Sequence, residues 1–292
     1  MIDYQVIASG AAGRLSESPL WCPRSRRLWW VEALGPSLYG FDSASGAQET
    51  FELAGRVIGC CVLRAAGGLV LALDQTLQAF DPQRRSLVPL VTPENGRPRN
   101  RLNDGKADRA GRIWIGTMNG EVFEPDGSLY RIGADLTVEH QFDDVVIPNS
   151  IAFSPDDRVF YFSDTRRMTI WAFDFDVDEG RISNRRVFSD TSRHPGRPDG
   201  STVDAEGFLW NAEIMGGRLV RYAPDGRIDR VVELPVPRPT CCAFGGDNLD
   251  VLYVTSMSVG LDAAQLEGAP ASGGLIALDV GVRGLPEPMF AG

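Results

Sequence analysis

Residues 103–116 read NDGKADRAGRIWIG. The stretch opens with small and polar residues, turns at Ala110-Gly111 and returns as an aromatic and β-branched run, the pattern of a strand, a turn and a second strand. The same phrase recurs along the chain. ESPLWCPRSRRLWW starts at Glu17, GCCVLRAAGGLVLA at Gly59, NSIAFSPDDRVFYF at Asn149, DGSTVDAEGFLWNA at Asp199 and TCCAFGGDNLDVLYV at Thr240. The six starts lie 41 to 50 residues apart. A third strand follows each pair (SLYGFD, TLQAFD, SLYRIG, TIWAFD, RLVRYA, GLIALD), and a more variable fourth completes most units, as in VVELP. Four antiparallel strands at this period make one blade of a β-propeller. Six copies fill the 292 residues, so residues 1–292 read as one all-β domain, a six-bladed β-propeller. A β-sandwich gives no reason for six phased copies. The sixth repeat lacks a fourth strand, and YQVIAS, starting at Tyr4, is the segment that would supply it and cover the open edge.

Composition narrows the function classes. The chain is 43% hydrophobic, rich enough to bury a large core, and its net charge of −10 opposes binding to nucleic-acid phosphates. No apolar run approaches the length needed to span a bilayer, so no membrane association is expected. The start, MIDYQVIASG, lacks a basic segment followed by an apolar one, which argues against a signal peptide. The five cysteines, Cys22, Cys60, Cys61, Cys241 and Cys242, form no C-x-x-C and read as reduced thiols of a cytoplasmic protein. Cys60-Cys61 and Cys241-Cys242 share one phase of their repeats, as tight inner-strand packing would require. A monomer or weak homo-oligomer is expected.

The innermost strand of each blade lines the central channel, so equivalent repeat positions form a ring. Glu17, Gly59, Asn103, Asn149, Asp199 and Thr240 are that ring. Four are carboxylates or carboxamides, a costly convergence unless a cation binds them. Asx turns explain one or two of them, and Glu17 poorly. An all-oxygen donor set with two carboxylates suits one divalent ion, Ca²⁺ first, with Mg²⁺ and Mn²⁺ next. Zn²⁺ more often recruits His or Cys. Gly59 reads as a gap in the ring that leaves room for a ligand. Only His140 and His194 are present and there is no G-x-S-x-G, so a serine-hydrolase triad is not expected.

The runs LSESPLW, RLNDGKADRAGRIWIGTM, IPNSIAFSPDDRVFYFSDT, RPDGSTVDAEGFLW and PTCCAFGG, with ISNRRVF and the ending GGLIALDVGVRGLPEPMFAG, resemble the SMP-30/gluconolactonase family, the regucalcins, over nearly the whole chain. The resemblance implies a six-bladed propeller holding one divalent metal ion, Ca²⁺, Zn²⁺, Mn²⁺, Mg²⁺ or Fe²⁺, and a lactonase acting on an aldonolactone. It implies metal ligands at Glu17, Asn149 and Asp199, and substrate contacts at Arg101, Asn103 and Glu121. Asp199 is then the candidate general base, either taking the proton from the attacking water or only orienting that water. A calcium-binding regulatory propeller without catalysis and a phosphotriesterase-like hydrolase are the competing readings.

Overall fold

The six repeats become six four-stranded antiparallel sheets, five of them running in chain order from an inner to an outer strand. The computed structural model describes residues 3–9 and 14–292. The inner strands of blades one to six are Ser16–Cys22, Ile58–Leu63, Asn100–Ala107, Pro148–Phe153, Arg197–Val203 and Pro239–Gly245. Blade six is completed by the N-terminal strand Tyr4–Ala8, which pairs antiparallel with Leu275–Asp279 through Tyr4↔Leu278 and Val6↔Ile276. The ring therefore closes by strand pairing, as the missing fourth strand of the sixth repeat required.

The core lies between blades. Leu20, Trp29 and Val31 of blade one pack with Ile58, Leu69 and Leu71 of blade two. Equivalent clusters join every successive pair, ending with Trp21, Leu28 and Trp30 against Tyr253, Leu275 and Ala277 of blade six. Each sheet buries both faces on its neighbours. Its second strand is therefore apolar along most of its length, as in RLWWVE and VFYFSD, and does not alternate.

The turns carry their own logic. In blade three the Asp108 carboxylate accepts from the Trp114 indole and from Arg112 Nε at 2.9 and 2.7 Å. In blade five Asp204 accepts from Trp210 and Arg221, each at 2.9 Å. The related runs ADRAGRIW and VDAEGFLW thus hold a buried carboxylate paired by charge-assisted bonds. The chain ends by running along the far ends of the inner strands, bridging Gly284 to Asp204 and Phe290 to Arg64. One short helix, Ala263–Gly268, is described, capped by Asp262 and Gln265. No helix is long and apolar enough to cross a membrane.

Candidate metal and substrate site in the channel

All six inner strands break register where the ring residues stand. The shifts fall between Glu17 and Leu20, Ile58 and Cys61, Leu102 and Gly105, Asn149 and Ala152, Pro198 and Ser201, and Pro239 and Cys241. A bulge re-aims side chains that regular pairing would commit to the blade faces. The backbone conformation agrees in blades one and four. Ser18 and Ser150, the residues after Glu17 and Asn149, have φ of 51° and 57°, in the left-handed region that non-glycine residues rarely occupy.

Glu17 raises the proton affinity of Asp199, and Asp104 raises that of both. Burial pushes Glu17 up to about 8, with the Asp104 carboxylate adding to it. Burial raises Asp199 well above the usual carboxylate range, helped by Glu17 and Asp104. Asp104 is raised by burial as well, and its Oδ2 accepts from the Ile151 N–H of blade four at 3.0 Å. Asp199 is 5% exposed; Glu17 and Asp104 keep a partial opening to solvent, yet protein surrounds them densely enough for desolvation to dominate. Arg101 faces this cluster. Burial lowers its guanidinium to about 10, and Glu17 opposes that fall. Lys106 also bears on Asp104 but is paired with Glu287 at 3.2 Å, so three ionised carboxylates against the Arg101 guanidinium leave a formal excess of two negative charges.

Asn149 is oriented by its neighbours. The Thr165 hydroxyl donates to the Pro198 carbonyl at 2.7 Å, so its oxygen must accept, and Asn149 Nδ2 donates to it at 2.8 Å. The Asn149 carbonyl oxygen is left accepting from none of the described residues, which suits a cation ligand. The backbone around Asp199 is equally fixed. Its carbonyl accepts from Ser150 Oγ and from Asn211 Nδ2 at 2.5 and 3.1 Å, within a buried network with Ser163 and Ser201. Among the described residues no three His, Cys, Asp or Glu side chains group as metal ligands, so the candidate donor set is the mixed one, two carboxylates and the Asn149 amide.

The remaining ring members take other tasks. Asn103 accepts from Arg101 at 2.7 Å and donates to the Pro148 carbonyl at 2.9 Å, tying blade three to blade four while it aims the guanidinium. Thr240 donates to the Ser16 carbonyl at 2.6 Å. Gly59 is not the gap its sequence suggested: a Cβ there would stand 2.4 Å from the Asn103 carbonyl oxygen and 2.7 Å from that of Leu102. The glycine admits the backbone of blade three, and no space is left over. Glu121 stands on the loop after the second strand of blade three, 63% exposed, with Arg99 3.7 Å away and outside the channel cluster. His194 meets Glu213, 2.5 Å away, and Glu213 is fully buried and held also by Arg218. The paired cysteines pack as expected: Cys60, Cys61, Cys241 and Cys242 are buried, and all five cysteines are unpaired.

Asp104 is the channel residue that repeat phasing passed over. Strand alternation places residues 103 and 104 on opposite faces, so only one of them belongs in the ring. The register shift between Leu102 and Gly105 removes that restriction.

Comparison with known proteins agrees with the geometry. A family model described as "SMP-30/Gluconolactonase/LRE-like region" matches residues 15–258. A 6-deoxy-6-sulfogluconolactonase of Pseudomonas putida is 35% identical over 279 residues, 95% of each chain. A regucalcin of Danio rerio is 36% identical over 283 residues, again 95% of each. The solved structure of a calcium-binding protein, regucalcin, from Agrobacterium tumefaciens superposes with a TM-score of 0.94 at 32% identity, covering 99% of this chain and 97% of that one. With the propeller, the bulged ring and nearly full-length similarity in agreement, the chain belongs to the SMP-30/gluconolactonase/LRE-like family.

Proposed function

We propose that this protein is a sugar lactonase, hydrolysing an aldonolactone to its aldonic acid, with one divalent cation held by Glu17, Asn149 and Asp199. The observation that carries the reading is the charge imbalance in the channel: three carboxylates coupled by charge face the Arg101 guanidinium, Lys106 being paired with Glu287, and a dication restores neutrality. Oxygen-only ligands favour Ca²⁺ over Zn²⁺. The names of two relatives support the two halves of the proposal, one a sulfogluconolactonase and the other a calcium-binding regucalcin. The unpaired cysteines fit a reducing, cytoplasmic setting.

A cation in this site supplies positive charge where negative charge develops on the lactone carbonyl oxygen. Asp199, fixed by its backbone network, takes a proton from the water that attacks the carbonyl carbon. The new C–O bond forms, the ring C–O bond breaks, and the ring oxygen leaves as a hydroxyl after accepting a proton. Arg101, aimed by Asn103, holds substrate oxygens through its planar fork. Glu121, on the exposed loop, contacts the outer end of the sugar.

The test is acid release from a panel of hexonic and pentonic lactones, followed with a pH indicator, before and after chelation and on restoring Ca²⁺. Metal-dependent hydrolysis of at least one aldonolactone is expected. A protein that binds Ca²⁺ and leaves every lactone to its spontaneous rate would instead support the calcium-binding, non-catalytic reading that the regucalcin relatives suggest. Faster turnover of an aryl phosphotriester than of any lactone would reassign the substrate.

A further inference from the structure

At the opposite end of the inner strand of blade one from Glu17, a cavity of about 550 Å³ opens between blades one and two. That volume is in the range of small-molecule sites. Cys22 lies five positions after Glu17 on this strand, roughly 15 Å at the rise of a β-strand, so the cavity is separate from the channel site.

Four arginines line it: Arg24, Arg27, Arg64 and Arg85. One side-chain carboxylate answers them. Glu49 accepts from Arg27 at 3.1 Å and from Arg85 at 2.6 Å. Arg24 donates to the Ala65 carbonyl and Arg64 to that of Gly292, at 2.9 and 2.7 Å. The Ala65 acceptor is neutral, so Arg24 has no counter-charge among the described residues, whereas the Gly292 acceptor belongs to the terminal carboxylate, which answers part of the Arg64 charge. With the Gly292 carboxylate counted beside Glu49, the four guanidiniums still leave a formal excess of two positive charges in a chain whose net charge is −10. Each guanidinium has five N–H donors and gives one to the bonds above, leaving forks free for a multivalent oxyanion. The floor is apolar: Trp29, Leu63, Leu69 and Met289 belong to the lining. Arg27 lies over the Trp29 ring, 5.7 Å from its centroid, which holds one side of the cavity in shape.

We propose that this cavity is a second binding site, for a small organic phosphate monoester, with the phosphate bound by Arg24 and Arg64 and the apolar part of the molecule on the floor. A dianionic head group offers three acceptor oxygens to converging forks, and one carboxylate offers two. Cys22 lines the same cavity and is half-buried, while the other four thiols are buried, so its reactivity reports occupancy of this site alone.

The experiment uses the full-length, Ca²⁺-loaded protein and phenyl phosphate as the probe. Binding is measured by calorimetry, and alkylation of Cys22 by iodoacetamide is followed by peptide mass spectrometry. Phenyl phosphate should bind and slow Cys22 alkylation, and Arg24→Gln should weaken it about tenfold, the cost of one charged hydrogen bond. Arg24 is exposed, so replacing its head group leaves the buried core unaltered; Arg64→Gln provides a second measurement. Lactone hydrolysis should be the same in Arg24→Gln as in the unaltered protein. No protection of Cys22 would overturn the proposal. So would equal protection by phenol or benzoate, or affinity unchanged in both arginine variants.

Discussion

Replacing Glu17 by glutamine should move the stability of the metal-free and metal-loaded protein in opposite directions. The glutamine keeps the side chain's shape and removes its charge. Burial and Asp104 raise Glu17 from 4.5 to about 8 in the fold. Between those values the folded protein takes up a proton that the unfolded chain releases. This contribution to stability is therefore complete below about pH 4.5 and is lost as the pH rises through about 8. At about 1.4 kcal/mol per unit, the ceiling is about 5 kcal/mol. Glu17 keeps a partial opening to solvent, and water relaxes much of this, leaving about 2 kcal/mol. For a chain of this size that corresponds to about 4 °C in Tm. Chelator-treated Glu17→Gln should thus melt about 4 °C above the unaltered protein near pH 9 and together with it near pH 5. Saturating Ca²⁺ should reverse the order at the higher pH, because the variant binds the ion more weakly. Scanning calorimetry at the two pH values, with and without Ca²⁺, reads all four states. Identical melting of the metal-free proteins near pH 9 would remove Glu17 from the crowded cluster. Equal stabilisation of both by Ca²⁺ would remove it from the ligand set.

The other predictions concern catalysis and closure of the ring. Asp199→Asn, with metal occupancy verified on the variant, should lower kcat by about 10²–10⁴; a near-normal kcat would reduce Asp199 to a ligand. Arg101→Ala should raise KM more than it lowers kcat, and the opposite split in steady-state kinetics would place the guanidinium in the chemical step. Gly59→Ala should cost about 1–3 kcal/mol by overpacking, because its methyl meets the backbone of blade three. An alanine variant with unchanged Tm would restore the view of Gly59 as an open space. Removing residues 1–9 should lower Tm by exposing the Leu275–Asp279 edge, and an unchanged melting curve would refute strand closure.

The two residues at 103 and 104 mark the limit of what repeat phasing can assign. The phase of NDGKADRAGRIWIG against its five counterparts places Asn103 in the ring. The structure keeps it at the channel as the residue that aims Arg101. Nothing in the phase selects Asp104, because period-two alternation turns it to the blade face; the register shift brings it beside Glu17 and Asp199. Gly59 shows the converse limit. A glycine in a ring reads equally as space for a ligand or as room for a neighbouring backbone, and only the distance to Asn103 decides. The serine after Glu17 and the serine after Asn149 look ordinary in SESP and PNSI. Their positive φ appears only when the strand has to bulge against its partner.

Local chemistry along the chain is enough to determine the strands, their number per blade, the six-fold repetition and the need for an N-terminal strand to finish the ring. Turn residues and β-branched runs act over a few neighbours and are written in order. Repetition also converts sequence phase into position around the channel, which puts Glu17, Asn103, Asn149 and Asp199 on one ring; the choice of Glu17, Asn149 and Asp199 as candidate ligands is what the family resemblance implies. Tertiary structure alone decided the electrostatics of the site and the existence of the arginine-lined cavity. The three carboxylates come from three different blades, and the four arginines from the turns and strand ends of two. Their mutual distances depend on how the sheets pack, which no single repeat encodes.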